Sequence, residues 1–208
     1  MLFVMLFKRS LTICPLLFNS ISSDGLLLEV ACVITSADTH DELWCGEYVV
    51  KYSKEILEAS LEASDPFVQE MHAENGLWLD CLECATLDLD AIDAEITKQI
   101  RAHACGVLGT ANYYPPMAGS NVGFDREWLR VHLPNAQAVC AYNNIDVSTI
   151  SEIVARRYGP DRVYTGDGPV VHRAMADIRW SIECLQHYYA HYFTPYGREP
   201  HGVSESWG

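Results

Sequence analysis

Residues 26–35 constrain the fold more than any other part of the sequence. The stretch is rich in leucine, valine and isoleucine, which predicts a buried strand. A second strand is predicted at residues 43–52, after a hairpin connection. Helices are then predicted at residues 54–72, 88–104, 124–132, 148–157 and 172–193, and short strands at 117–121 and 144–147. This order of elements predicts an α/β domain.

The chain carries a strong and uneven negative charge. Its formal net charge is −14, and residues 38–95 hold sixteen acidic side chains against two basic ones, Lys51 and Lys54. Proteins that grip long nucleic acids through the phosphates usually carry a basic stripe. We therefore expect a small anionic substrate whose charge is met by metal ions, and a single domain within the 208 residues.

The two ends of the chain differ from the predicted domain at residues 24–193. Residues 1–23 contain no Asp or Glu, and their two apolar runs are shorter than the ~18 residues that span a bilayer. We expect no membrane association and an intracellular location. The absence of acidic residues from this segment is typical of a mitochondrial transit peptide, whereas its high apolar content is not, so mitochondrial and cytoplasmic locations both stay open. Residues 194–208 are predicted to be a disordered tail. The eight cysteines are expected to be reduced thiols.

Three segments of the sequence combine acidic residues, or an acidic residue and a histidine, with the predicted starts of helices or ends of strands. Residues 117–129 include Asp125, residues 145–149 read Ile-Asp-Val-Ser-Thr, and His172 precedes Asp177 by five positions. Together with residues 70–77, these segments resemble the oligoribonucleases, which belong to the DEDDh group of 3′→5′ exonucleases. The resemblance extends over about residues 24–193. It implies an RNase H-like mixed sheet flanked by helices.

The resemblance also implies roles for these residues. Asp125 and Asp177 would be metal-binding carboxylates, and His172 would be the general base. Two Mg²⁺ or Mn²⁺ ions ~3.5–4 Å apart can activate water and stabilise the leaving oxygen, and an imidazole can accept the proton of that water. The alternative is that each Asp only complements the dipole at the start of a helix, and that His172 is a solvated residue.

Substrate contacts and assembly follow from the same resemblance. His72 would lie near the scissile end of a short single-stranded oligoribonucleotide. Tyr142 and Ser148 would contact the 5′-phosphate across the interface of a homodimer. Asn143 stands where the family often has arginine. This replacement weakens the expected binding of the 5′-phosphate. For Tyr142, a packed aromatic side chain is an equal alternative.

The first acidic motif of the family, a strand with D-x-E, is missing. No acidic residue precedes Asp24. The D-x-x-E of Asp80 and Glu83 has the wrong spacing, and Asp93 and Glu95 are predicted to lie on a helix, where positions i and i+2 face different directions. Either the strand was lost, or residues 5–23 come from an error in the gene model. The first strand is therefore doubtful, although residues 1–18 are apolar enough to supply it.

Two functions stay open on the sequence. One is a 3′→5′ exoribonuclease that releases nucleoside 5′-monophosphates. The other is a catalytically inactive homologue that acts as a binding or dimerisation module. Separately, His187 and His191 have a metal-like i,i+4 spacing, but we interpret them as part of a partly exposed aromatic face because the glutamate of the zincin motif is absent.

Overall fold

The computed structural model describes residues 2–8, 26–104, 114–166 and 173–193, and residues 2–8 by their backbone alone. It confirms a mixed α/β fold. The strands are β1 Leu2–Lys8, β2 Leu27–Thr35, β3 Glu42–Val49, β4 Met117–Gly119 and β5 Asn144–Asp146. The helices are α1 Lys54–Glu62, α2 Pro66–Glu74, α3 Leu77–Glu83, α4 Leu89–Ala104, α5 Val122–His132, α6 Pro134–Ala138, α7 Val147–Tyr158 and α8 Ala174–Tyr192, with a 3-10 turn at Pro160–Arg162.

The five strands form one sheet in the order β3-β2-β1-β4-β5. β1 is the middle strand, antiparallel to β2 and parallel to β4. Its Phe3 pairs with Val33 on one side and with Ala118 on the other. The apolar N-terminal segment therefore supplies the first strand, which was doubtful from the sequence, at the centre of the sheet.

Helices cover both faces of the sheet, which explains why all nine residues of β2 are buried. Val30, Cys32 and Ile34 belong to a core with side chains from α4, α5 and α6. The alternate residues Ala31 and Val33 belong to a second core with α7 and α8. Since each fully buried aliphatic side chain contributes roughly 1.5–3 kcal/mol, the run at residues 26–35 is a large part of what holds the layers together.

Most predicted elements are present within a few residues of their expected bounds. The helical stretch predicted at 54–72, with a turn at Asp65-Pro66, is divided there into α1 and α2, and the carboxylate of Asp65 accepts from the amide of Phe67 and caps α2. The helix predicted to begin at residue 148 begins one residue earlier, at Val147, and is capped by Asp146. The tail at 194–208 lies outside the described residues. Within the described part of the chain, no helix is long and apolar enough to cross a membrane.

Candidate active site

Asp125 lies in the first turn of α5, which follows β4 after a tight turn. Asn121 makes that turn with φ of 56°, in the left-handed region. The Asp125 side chain is buried, with 5% exposure. A carboxylate in the first turn of a helix is stabilised by the amide groups that point out of the helix start. The chain therefore holds this acid at the C-terminal end of β4, at low exposure.

Asp177 lies in the first turn of α8, on the opposite face of the sheet, and is half-buried. One turn further along α8, the Oγ of buried Ser181 lies 3.2 Å from the Oγ of Ser120, which joins β4 to α5. This hydrogen bond connects the starts of the two helices. The sequence did not identify either serine as part of the site.

Glu29 fixes the start of α8. It is fully buried on β2, and its Oε2 accepts from the amide of Ala174 at 2.8 Å. Its Oε1 lies 2.7 Å from Nη2 of Arg173, and Nη1 of Arg173 lies 2.9 Å from Oδ2 of Asp80. Burial lowers the pKa of Arg173, but hydrogen bonds and charges from Glu29 and Asp80 outweigh it, so this pKa is raised.

This ion-pair network was missed by sequence reasoning. The sequence feature that could have revealed the network is Glu29, a charged residue inside an apolar strand. A buried charge is costly unless it is paired, so such a residue indicates a partner. Glu29 pairs in the sheet with Phe7, near the C-terminal end of β1. Because β1 and β4 are parallel, α5 and α8 both begin at the same end of the sheet. Asp125 and Asp177 therefore both lie on helices that begin at this end of the sheet, and their roles as metal ligands stay predictions.

His172 immediately precedes Arg173 and lies outside the described residues. Asp167 and Gly168 also lie outside the described residues. They belong to the stretch where the resemblance implies a basic loop. Nothing in the described part of the chain tests the role of His172, which stays a prediction.

Ser148 lies beside the start of α5. Its Oγ and amide donate to Oδ1 of Asp146, at 2.5 and 2.9 Å. The amide of Asn121 donates to the same Oδ1 at 3.2 Å and contacts the Oγ of Ser148 at 3.3 Å. Asp146 therefore caps α7 and also supports the left-handed turn before Asp125. This dual role was not visible from the sequence, because it depends on β4 and β5 being neighbours.

Tyr142 is 96% exposed, so it does not pack within the chain. The loop that presents it is held by Arg126, the residue after Asp125. The guanidinium donates to the carbonyl oxygen of Ala141 at 2.7 Å and to Oδ1 of Asn144 at 2.8 Å. The helix that carries Asp125 thus also positions the loop that carries Tyr142.

His72 is placed differently from what the resemblance implied. It lies on α2, is fully buried, and meets Trp78 edge-to-face with ring centroids 6.0 Å apart. In this structure its imidazole lies inside the chain and does not line an open surface. Its role in substrate binding stays a prediction.

Carboxylates are lacking where the first motif belongs. The C-terminal half of β1 reads Met-Leu-Phe-Lys, and Met5 and Phe7 share register positions with Ala31 and Glu29, on the α8 face of the sheet. Within the described ranges, no three His, Cys, Asp or Glu side chains are grouped so that they could hold a metal. Two hard cations that each want about six oxygen ligands do not fit the donors present.

The two acidic pairs that mimic the missing motif have structural roles. Asp80 lies on α3 in the ion pair with Arg173. Asp93 lies on α4 and caps α6, accepting from the amides of Asn135 at 3.1 Å and Ala136 at 2.7 Å. Both pairs are therefore excluded as substitutes for the first-strand carboxylates.

Comparison with known proteins places these features in a family context. The chain is 32% identical over 184 residues to the protein named oligoribonuclease in Mycobacterium bovis, covering 88% of this chain and 80% of that protein. It is 34% identical to the oligoribonuclease of Mycolicibacterium paratuberculosis, covering 84% and 76%. For the oligoribonuclease of Rhodococcus jostii the identity is 33%, covering 81% and 80%. No family model matches the chain.

Proposed function

Since the chain belongs to the oligoribonuclease family, we propose that its site acts on the 3′ ends of short oligoribonucleotides. The proposed reaction is exonucleolytic hydrolysis that releases nucleoside 5′-monophosphates. The observation that carries this proposal is the arrangement of Asp125 and Asp177, each in the first turn of a helix that begins at the same end of the sheet. The acidic surface at residues 38–95 supports a short substrate, because a long phosphate backbone would be repelled.

Each residue of the proposed site has its own role in this reaction. Asp125 and Asp177 present carboxylates, and His172 is proposed to accept the proton of the attacking water. Ser148 and Tyr142 are proposed to contact the 5′ end of the oligomer, with Tyr142 reaching across a homodimer. The exposure of Tyr142 and its support by Arg126 favour that role, because an exposed aromatic on a fixed loop is suited to contact a ligand or partner.

Metal ions of the family reaction would supply activation of water and stabilisation of the leaving oxygen. Among the described residues, the oxygen ligands near Asp125 and Asp177 are too few to hold two such ions. We therefore propose that the chain with its present first strand has only residual activity, at least on the order of a thousandfold below a relative with intact D-x-E, since each ~1.4 kcal/mol of lost transition-state stabilisation costs tenfold in rate.

Restoring the missing carboxylates tests the proposal. Met5→Asp with Phe7→Glu places two acids at positions i and i+2 of the central strand, toward the α8 face. We expect the restored chain to hydrolyse a labelled diribonucleotide with Mn²⁺, and the matched Met5→Asn/Phe7→Gln variant to remain inactive. Adding Asp177→Ala to the restored chain should abolish turnover. Activity that survives Asp177→Ala, or that is confined to long RNA, would contradict the proposal.

A second function has its own support. The apolar sequence of β1 at the centre of the sheet favours an inactive homologue that binds short RNA or dimerises. That reading predicts saturable binding of a short oligoribonucleotide without turnover, and a dimer by light scattering at micromolar concentration. A monomer that binds no oligoribonucleotide would exclude it.

A further inference from the structure

The negative charge of the chain is not shared by its C-terminal part. Residues 38–95 hold sixteen acids and two bases, whereas residues 156–193 hold four acids, five arginines and three histidines. Single-stranded nucleic acid would be repelled by the first region. The second region is close to neutral, so it repels phosphate groups less than the first.

A cavity of about 350 Å³ lies in this second region, between α8 and the turn before it. That volume is within the usual range of small-molecule sites, which begins near 300 Å³. Its walls include four aromatic rings and two charged side chains: Tyr164, His187, His191, Tyr192, Asp161 and Arg162. We define these six residues as the aromatic cavity.

The rings of the aromatic cavity are arranged as a stacking surface. The rings of His187 and His191 are stacked with centroids 4.2 Å apart and an angle of 23° between planes. Tyr164 lies 5.0 Å from His187 at 35°. Bases of single-stranded RNA bind aromatic faces in this way, and each stacked base contributes ~1–3 kcal/mol.

Arginine and further aromatic side chains extend the surface out of the cavity. Tyr158 at the end of α7 lies 4.9 Å from Tyr192, and the guanidinium carbon of Arg157 lies 5.9 Å from the Tyr158 ring. Together with Arg162, this gives cations interleaved with aromatic rings. Such interleaving is the common design of sites for single-stranded nucleic acid, because the cations follow the phosphates while the rings hold the bases.

The walls are held in place by hydrogen bonds. The hydroxyl of Tyr192 donates to the carbonyl oxygen of Arg162 at 3.2 Å. The hydroxyl of buried Tyr188 accepts from the amide of Tyr164 at 3.3 Å and lies 2.9 Å from the Oγ of Ser151. The turn is therefore fixed against α8 and α7, and a ligand would meet a surface that needs little ordering.

A metal is not the ligand that this cavity suits. The Nδ1 of His191 lies 2.8 Å from the carbonyl oxygen of His187, and the two rings are stacked. Within the described ranges, no group of three metal-binding side chains includes this pair. The arrangement agrees with the aromatic face that the sequence indicated.

We propose that the aromatic cavity, with Arg157 and Tyr158, is a second site for single-stranded RNA. It takes a nucleobase on the outer faces of its rings, which already contact one another, and the adjoining phosphates on Arg157 and Arg162. The site is separate from the carboxylates, because His187 lies ten residues after Asp177, or about 15 Å along the helix. Binding of RNA at this second site involves no hydrolysis, so the proposal goes beyond the proposed function.

The test measures binding of a fluorescein-labelled seven-nucleotide oligoadenylate to the full chain by anisotropy in EDTA. Arg157→Gln/Arg162→Gln should weaken binding at least fivefold and reduce the slope of log K against log salt by ~1.4, or about 0.7 for each lost phosphate contact. Lys51→Gln/Lys54→Gln removes the same charge from the acidic region at residues 38–95 and should have no effect on binding. An equal loss in both double variants, or no loss in either, would overturn the second site.

Two further measurements separate stacking from charge and from the catalytic site. In NMR spectra, the ring signals of His187 and His191 should shift with oligoadenylate but not with inorganic polyphosphate of matched charge; equal shifts would overturn the base-stacking site. Asp125→Asn/Asp177→Asn should leave oligoadenylate binding in EDTA unchanged. Loss of binding in that variant, with none in the arginine variant, would overturn the second site while leaving the proposed function intact.

Discussion

The helices α5 and α8 both contact the strand β1, from opposite faces of the sheet, but helices and strand are defined by different kinds of sequence. The helix starts are defined by polar contacts: Asp146 supports the turn before Asp125, and Glu29 with Arg173 anchors the residue before α8. β1 is defined by apolar composition and register alone. The comparison teaches that a central strand can keep its place in the fold while it loses the chemistry of the site.

A physical reason underlies this difference. A strand between two others, covered by helices on both faces, gains stability from any apolar sequence of suitable length. Carboxylates there are costly to bury and are retained for function. The polar contacts around the starts of α5 and α8 are instead structural, so losing one destabilises the fold. Three predictions sharpen this comparison.

The largest effect on stability is expected for Arg173→Met. It leaves Glu29, with no exposed surface, as a buried charge without its main partner, which typically costs ~3–5 kcal/mol. Urea unfolding followed by circular dichroism measures the loss. Glu29→Leu/Arg173→Met should regain part of it, because no unpaired charge remains.

Arg179→Met is the matched control for that experiment. Arg179 pairs with Glu42 on the surface, where both side chains are partly exposed. Exposed pairs contribute at most ~1 kcal/mol. If Arg173→Met costs no more than Arg179→Met, the buried network does not anchor the start of α8.

A smaller effect is expected for Asp146→Ala. The variant loses the cap of α7 and the acceptor for the amide of Asn121, and loss of a cap costs ~1–2 kcal/mol. Asp65→Ala, which removes only the cap of α2, is the comparison. Asp146→Ala should cost more than Asp65→Ala in thermal unfolding. Equal costs would show that Asp146 gives no support to the turn before Asp125.

The smallest effect on stability is expected for Tyr142→Ala. Its side chain is 96% exposed, so unfolding should change by less than ~0.5 kcal/mol. Binding of a 5′-phosphorylated diribonucleotide should nevertheless weaken severalfold, as measured by calorimetry. Phe193→Ala, in an exposed aromatic residue outside both proposed RNA sites, should leave binding of the diribonucleotide unchanged. A loss of stability in Tyr142→Ala would mean that the phenol packs after all.

Much of this architecture was predictable because it depends on local patterns. The apolar run at residues 26–35 predicted the buried strand β2, and Asp125 and Asp177 were identified by motifs that open helices. Glu29, Ser181 and Asp146 were missed because their partners are distant in sequence and meet only once the sheet has formed. The first strand was doubtful from the sequence, where residues 1–18 were only apolar enough to supply it, so the position, register and neighbours of β1 required the structure.

The central claim is that the fold keeps a place for the first acidic motif at Met5 and Phe7, and that this chain lacks only those acids. The direct measurement is Mn²⁺-dependent hydrolysis of a labelled diribonucleotide by residues 1–208 unchanged and by Met5→Asp/Phe7→Glu. We predict turnover at least ~10³-fold higher in the restored chain, because two carboxylates return to a metal-binding end of the sheet. Turnover by the unchanged chain within tenfold of the restored one would contradict the claim.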